Sequence, residues 1–169
     1  DTAVPARDPF AFYDVERPAT LDVRAIPGAP GTSARRARFL TQATLMAHAA
    51  ARRNGTVVMT RDLGLAALLA ALPGRPVRLV YESHGVADVV AAELPALLGN
   101  PTLAPSPAKL SRLARREARV WKHAAAYVTI THLLAGELRG RFGNRPHVFV
   151  VPDGGPAPIG DEAPGGSAG

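Results

Sequence analysis

The sequence predicts an α/β domain built on a mostly parallel sheet flanked by helices, and three observations carry that expectation. Short apolar runs rich in β-branched residues alternate with segments of helical period from residue 34 to residue 151. Glycine, proline and asparagine break the chain between them, at Asn54-Gly55, Pro73-Gly74 and Gly143-Asn144. The length, 169 residues with 47% hydrophobic side chains, suits one domain with one core. Only 5% of residues are aromatic, so that core is expected to be aliphatic.

Residues 1–20 read as a loop or short helix anchored by Phe10, Phe12 and Tyr13. Residues 21–26 alternate apolar and polar side chains and stop at Pro27, as an edge strand would. The Gly/Pro loop at 27–31 lacks the G-x-G-x-x-G spacing of a dinucleotide site and reads as a plain connection. Ser33 can cap a helix over 34–53, in which Ala37, Leu40, Thr44, Ala47 and Ala51 recur at helical spacing. Residues 56–60 form a short buried strand, and Asp62 can cap a helix over 63–72 with a leucine stripe. A strand over 77–85 follows, then a helix around 86–98, then a proline-rich stretch over 99–107 that predicts no regular structure.

Residues 107–123 carry the clearest helical pattern. Pro107 stands in its first turn with Ser106 before it. Leu110, Leu113, Ala114, Val120 and Trp121 fall on one face, while Lys109, Arg112, Arg115, Arg116, Arg119 and Lys122 fall on the other. Glu117 falls among the apolar residues, where a carboxylate needs a partner. A neighbouring backbone group or arginine could hold it, or it could meet a ligand. A strand over 126–130, a helix over 132–142 capped by Thr131 and a strand over 147–151 complete the pattern. Residues 156–169 have no apolar periodicity and read as a flexible tail or linker.

Composition excludes some chemistry. There is no cysteine, hence no disulfide, thiolate metal site or cysteine nucleophile, and a reducing, cytoplasmic location is expected. No apolar stretch approaches the ~20 residues that span a bilayer. The net charge of +6 comes almost entirely from arginine and does not choose among nucleic acid, anionic lipid and a phosphorylated ligand.

The chemistry concentrates where the strand over 77–85 ends. Glu82, Ser83, His84 and Gly85 bring a carboxylate, a hydroxyl, an imidazole and a glycine together, and ligands of open α/β sheets bind beyond the carboxyl ends of the strands. Alternate strand residues point to opposite faces, so one of Glu82 and Ser83 is expected to support His84 and the other to be structural. Arg61 follows the preceding strand and should line the same crevice, where a guanidinium can hold phosphate or hydroxyls. Thr131 opens a helix after the next strand and could meet an anion or a sugar there, or simply cap the helix.

Taken in order, Tyr81-Glu82-Ser83-His84-Gly85, the basic helix with Arg115-Arg116-Glu117, residues 126–131 with Leu133-Leu134 and Glu137-Leu138, and Val148-Phe149-Val150-Val151-Pro152-Asp153-Gly154 resemble the amino-terminal, acceptor-side domain of glycosyltransferase family four. The resemblance covers roughly residues 56–155. It implies a Rossmann-like domain over 1–155 that forms one half of a two-domain enzyme. His84 would face the reacting centre, with Arg61, Glu82, Ser83, Gly85 and Thr131 around the acceptor and Asp153-Gly154 at the interdomain edge. No metal or cofactor is implied, because the nucleotide-sugar is a co-substrate held mainly by a second, carboxyl-terminal domain. Departures from the pattern are clear: no Glu-x7-Glu pair, no first strand with a glycine-rich turn, Asp153 where asparagine is commoner and Gly155 in place of valine. The chain is therefore expected to be one half of a transferase and inactive alone. Its expected partners are a sugar or lipid-linked acceptor, the donor-binding domain and an anionic membrane face met through residues 107–123. The competing reading is a non-catalytic basic α/β domain that binds protein or nucleic acid. Nucleic acid is the weaker partner, since no aromatic residues interleave with the basic face.

Overall fold

The computed structural model describes residues 16, 18–20, 32–53, 56–72 and 77–153. The strand expected over 21–26, the loop 27–31, the anchors Phe10, Phe12 and Tyr13, the turns at 54–55 and 73–74, Gly154 and the tail 156–169 lie outside the described residues. The chain divides into two compact units, Asp1–Ala43 and Thr44–Gly169, with helix α1 (Thr32–Ala51) running across the division.

The second unit is α/β, as predicted. Its strands β1 (Val57–Thr60), β2 (Arg78–Ser83), β3 (Ala126–Thr129) and β4 (Val148–Val150) form a four-stranded sheet, entirely parallel, in the order β1-β2-β3-β4. Parallel neighbours need crossovers. These are supplied by α2 (Leu63–Leu69) between β1 and β2, by α3 (Ala87–Leu97) and α4 (Pro107–His123) between β2 and β3, and by α5 (His132–Phe142) before β4.

Local chemistry sets most of the boundaries. Asp62 caps α2 by accepting the Leu65 N–H at 2.8 Å, Ser106 caps α4 at Lys109, and Thr131 caps α5 at Leu134. Helix α1 begins at Thr32, one residue before the expected cap, so Ser33 lies inside it. Helix α2 ends at Leu69 rather than 72, and residues 70–72 continue as a turn. The expectation of no regular structure over 99–107 is corrected at Pro101–Leu103, a single 3-10 turn. Asn100 makes it possible by accepting both the Thr102 N–H and the Thr102 hydroxyl, while Pro101 contributes a fixed φ and no N–H to satisfy.

One face of the sheet carries Leu79, Tyr81, Ser83, Tyr127 and Thr129, all buried against helices. The buried core is mostly aliphatic, as expected, but its centre is aromatic. Tyr127 lies at its centre, in edge-to-face contact with Trp121 of α4 at 4.8 Å and with Tyr81 at 5.2 Å, so three of the few aromatic residues share one spot. Arg145 seals the end of this cluster. Its guanidinium donates to the Trp121 and Ala124 carbonyls at the carboxyl end of α4 and lies over the Trp121 and Tyr127 rings. The opposite face carries Val57, Met59 and Phe149, each more than half exposed, so β1 is not the buried strand expected over 56–60.

Candidate functional site

A parallel sheet brings all its carboxyl ends to one edge, and register fixes which residues meet there. Thr60 lies beside Tyr81, so the next residues, Arg61 and Glu82, come level. Ser83 lies beside Thr129, and Thr129 beside Val150, which brings the segment after β4 to the same edge. At this edge Arg61, Glu82, His84 and Asp153 converge. Glu82 Oε1 is 2.6 Å from the Arg61 guanidinium and 2.9 Å from His84 Nε2, and His84 Nδ1 is 3.7 Å from Asp153 Oδ2.

The electrostatics follow from these contacts. Glu82 is buried, yet the Arg61 guanidinium bonded to it, and then the His84 imidazole, hold its carboxyl below the usual carboxylate range. Glu82 accordingly remains an anion that accepts hydrogen bonds. Arg61 is held above its ordinary value by the same bond. Glu82, His84 and Asp153 each offer one donor atom within 4.8 Å of the others. A divalent ion there would compete with Arg61, which already supplies positive charge against Glu82.

Other predicted residues have different roles. Ser83 points into the helix-covered face, where its hydroxyl donates to the Gly85 carbonyl at 2.9 Å and holds the turn carrying His84. Gly85 makes that turn possible, since a Cβ at this position would stand 2.6 Å from Val90 Cγ2. Gly85→Ala is expected to cost about 1–2 kcal/mol in urea unfolding through overpacking. Adding Val90→Ala should recover most of the loss; no recovery would mean that the backbone, not this contact, requires glycine. Thr131 spends its hydroxyl on capping α5 and does not join the charged cluster. Gly154 lies outside the described residues.

Sequence reasoning left the role of Glu117 open, and the structure assigns it. Helix α3 starts after Val86, which has no side chain able to cap it. Glu117 reaches across from α4 and accepts the Ala87 N–H at 2.8 Å with one oxygen and the Tyr127 hydroxyl at 3.1 Å with the other. A residue thirty positions away thus caps the helix that follows the His84 turn. The partners are backbone and a tyrosine rather than arginine. Burial pushes the Glu117 carboxyl above its ordinary range, and the two hydrogen bonds offset only part of that push. Asp88, in the first turn of the same helix, is tied to Arg141 of α5.

Comparison with protein-family models gives no match, and comparisons with curated proteins and with solved structures give none either.

Proposed function

We propose that this chain is the acceptor-side domain of a family-four glycosyltransferase, moving a sugar from a nucleotide-sugar donor to an acceptor hydroxyl. The observation that carries the reading is the convergence of Arg61, Glu82, His84 and Asp153 at the carboxyl edge of an all-parallel sheet, the last three being residues of the motif resemblance. Such an edge is the general ligand position of open α/β sheets. The cluster is rich in hydrogen-bonding groups and partly open to solvent, with the His84 side chain 38% exposed. An imidazole there can exchange hydrogen bonds with a hydroxyl. The donor would be held mainly by a second domain, so the chain alone is inactive under this reading. The test is transfer of a labelled sugar by the complete two-domain protein, with loss of transfer in His84→Ala as the expected result.

The reading includes a contact with an anionic surface. Lys109, Arg112, Arg115, Arg116, Arg119 and Lys122 are all exposed along α4, and Leu97, Leu98 and Leu103 are exposed on the neighbouring α3 and 3-10 turn. A row of exposed cations suits the headgroup region of an anionic bilayer, each cation contributing about 1 kcal/mol near the surface, and exposed leucines can add apolar contact there. No helix among the described residues is long and apolar enough to cross a membrane. A peripheral contact at a cytoplasmic membrane face is therefore the form proposed. Vesicles rich in phosphatidylserine should sediment the protein at low salt, and Arg112→Glu with Arg116→Glu should weaken that binding by more than tenfold. Equal binding to neutral vesicles would remove the electrostatic contact.

A further inference from the structure

We propose that the groove between the carboxyl ends of α4 and α5 binds a small organic anion, a phosphate or carboxylate carried on an apolar body, with Lys122 and Arg145 meeting the charge. The groove lies at the amino edge of the sheet, opposite the edge that carries Arg61 and His84, and would bind this ligand whichever substrate that edge takes.

Three segments of the fold shape it. Helix α4 ends just before β3, α5 ends at Phe142, and residues 143–147 lead into β4. The groove between them has a volume of about 450 Å³, within the ~300–1,000 Å³ of small-molecule pockets. Ala118, Phe142, Pro146 and the nearly buried Trp121 line it with apolar surface, and Lys122 and Arg145 add two cations. Neither residues 118–128 nor residues 138–152 include an aspartate or glutamate. Among the described residues, neither Lys122 nor Arg145 forms an ion pair. Water can solvate the exposed Lys122. Arg145 is more enclosed: burial pulls its guanidinium below the ordinary value, and no carboxylate of the described residues offsets that pull.

Arg145 Nε donates to the Pro146 carbonyl at 3.0 Å, and its two terminal nitrogens donate to the carbonyls of Trp121 and Ala124. A guanidinium has five N–H groups, so two remain, one on each terminal nitrogen. The same bonds remove an obstacle to an anion. Helix carboxyl ends present carbonyl oxygens that disfavour negative charge. Here Arg145 occupies those of Trp121 and Ala124, and the Trp121 indole donates to that of Gly143 at 3.0 Å. The groove thus combines positive charge with apolar surface, and a ligand that uses both needs an anionic head and an apolar body. A bare anion leaves the walls unfilled, and a neutral ring leaves the cations unpaired.

Trp121 is the only tryptophan of the chain, so its indole N–H gives a single cross-peak in the spectrum of the 15N-labelled 169-residue chain and reports on the groove directly. The probes are phenyl phosphate, benzoate, inorganic phosphate and benzyl alcohol at constant ionic strength. Phenyl phosphate or benzoate should move the indole cross-peak saturably, together with that of Arg145 Nε–H, and the tighter of the two identifies the head group. Inorganic phosphate and benzyl alcohol should each bind at least tenfold more weakly. Lys122→Ala should raise the apparent Kd about tenfold, the loss of one bond between charged groups. Arg119→Ala removes an exposed cation of α4 that does not line the groove and should change the Kd less than twofold. An indole cross-peak unmoved by both organic anions overturns the assignment. So does equal binding of inorganic phosphate or benzyl alcohol, an unchanged Kd in Lys122→Ala, or an equal loss in Arg119→Ala.

Discussion

Glu117→Ala is expected to destabilise the second unit by about 3 kcal/mol, lowering Tm by roughly 10 °C in a thermal melt. The carboxyl is fully buried and has two partners, the Ala87 N–H and the Tyr127 hydroxyl, which truncation leaves unsatisfied beside a new cavity. Removing it also uncaps α3 and so loosens the turn that carries His84. Glu117→Gln is the informative companion, because it keeps the shape and removes the charge. Burial raises the Glu117 carboxyl in the folded chain, so between the ordinary carboxyl range and the raised value the folded state holds a proton that the unfolded state has released. Stability should fall as pH rises through that window, and Glu117→Gln should flatten the slope. Glu82 acts with the opposite sign. Its carboxyl is lowered in the fold, so its contribution is present above the ordinary carboxyl range and is lost as pH falls through the folded value. Arg61 is two-thirds exposed, which keeps the Glu82 contribution the smaller of the two. If urea unfolding of Glu117→Gln shows the same pH slope as the parent, the buried carboxyl is not the source.

His84→Ala is expected to lower kcat/KM of the complete transferase by about 100-fold or more, the usual range for losing a positioned proton-exchanging group. Glu82→Gln should lower it less, since the imidazole remains but loses the charged partner that orients it. Arg61→Ala should act in the same direction as Glu82→Gln, because it withdraws the cation that keeps Glu82 ionised in its buried position. The pattern to look for is graded. His84→Ala should have the largest effect, the two supporting residues smaller ones, and a change at Arg115 none on the chemical step. Far-ultraviolet circular dichroism should match the parent for His84→Ala, whose side chain is partly exposed and makes no contact in the core. A transferase that keeps full kcat/KM without His84 would remove this residue from the reaction.

The fold was largely legible in the sequence because its signals are local. Asp62, Ser106 and Thr131 each announce a helix three residues ahead of the N–H they cap. The two faces of α4 separate by periodicity alone. Shorter elements were overextended by one to three residues, since apolar residues continue past the ends of β3 at Ile130, of β4 at Val151 and of α2 at residues 70–72. The 3-10 turn at Pro101–Leu103 was hidden by the prolines in and after it, although Asn100-Pro101 is a cap followed by a fixed φ.

The site was legible in part. Glu82 and His84 are neighbours in sequence, so their bond follows from one strand end. The meeting of Arg61 with Glu82 and of Asp153 with His84 depends on the registers of β1 and β4, which no local pattern encodes. Glu117 shows the same limit. Its position among apolar residues marked it as needing a partner, and the uncapped Val86 marked α3 as needing one, but only the fold joins the two. The aromatic centre escaped for a related reason, since Tyr81, Trp121 and Tyr127 are scattered in sequence and sparse in composition.

The claim that this sheet edge binds a carbohydrate acceptor is tested most directly by mapping ligand contacts on the amide spectrum of the 15N-labelled chain. Methyl α-glucopyranoside should move the resonances of Arg61, residues 82–85 and Asp153, and His84→Ala should abolish those shifts. A short DNA duplex should leave this edge unmoved. The contradicting result is an unresponsive edge with sugar, together with salt-sensitive DNA shifts confined to α4 that persist in His84→Ala.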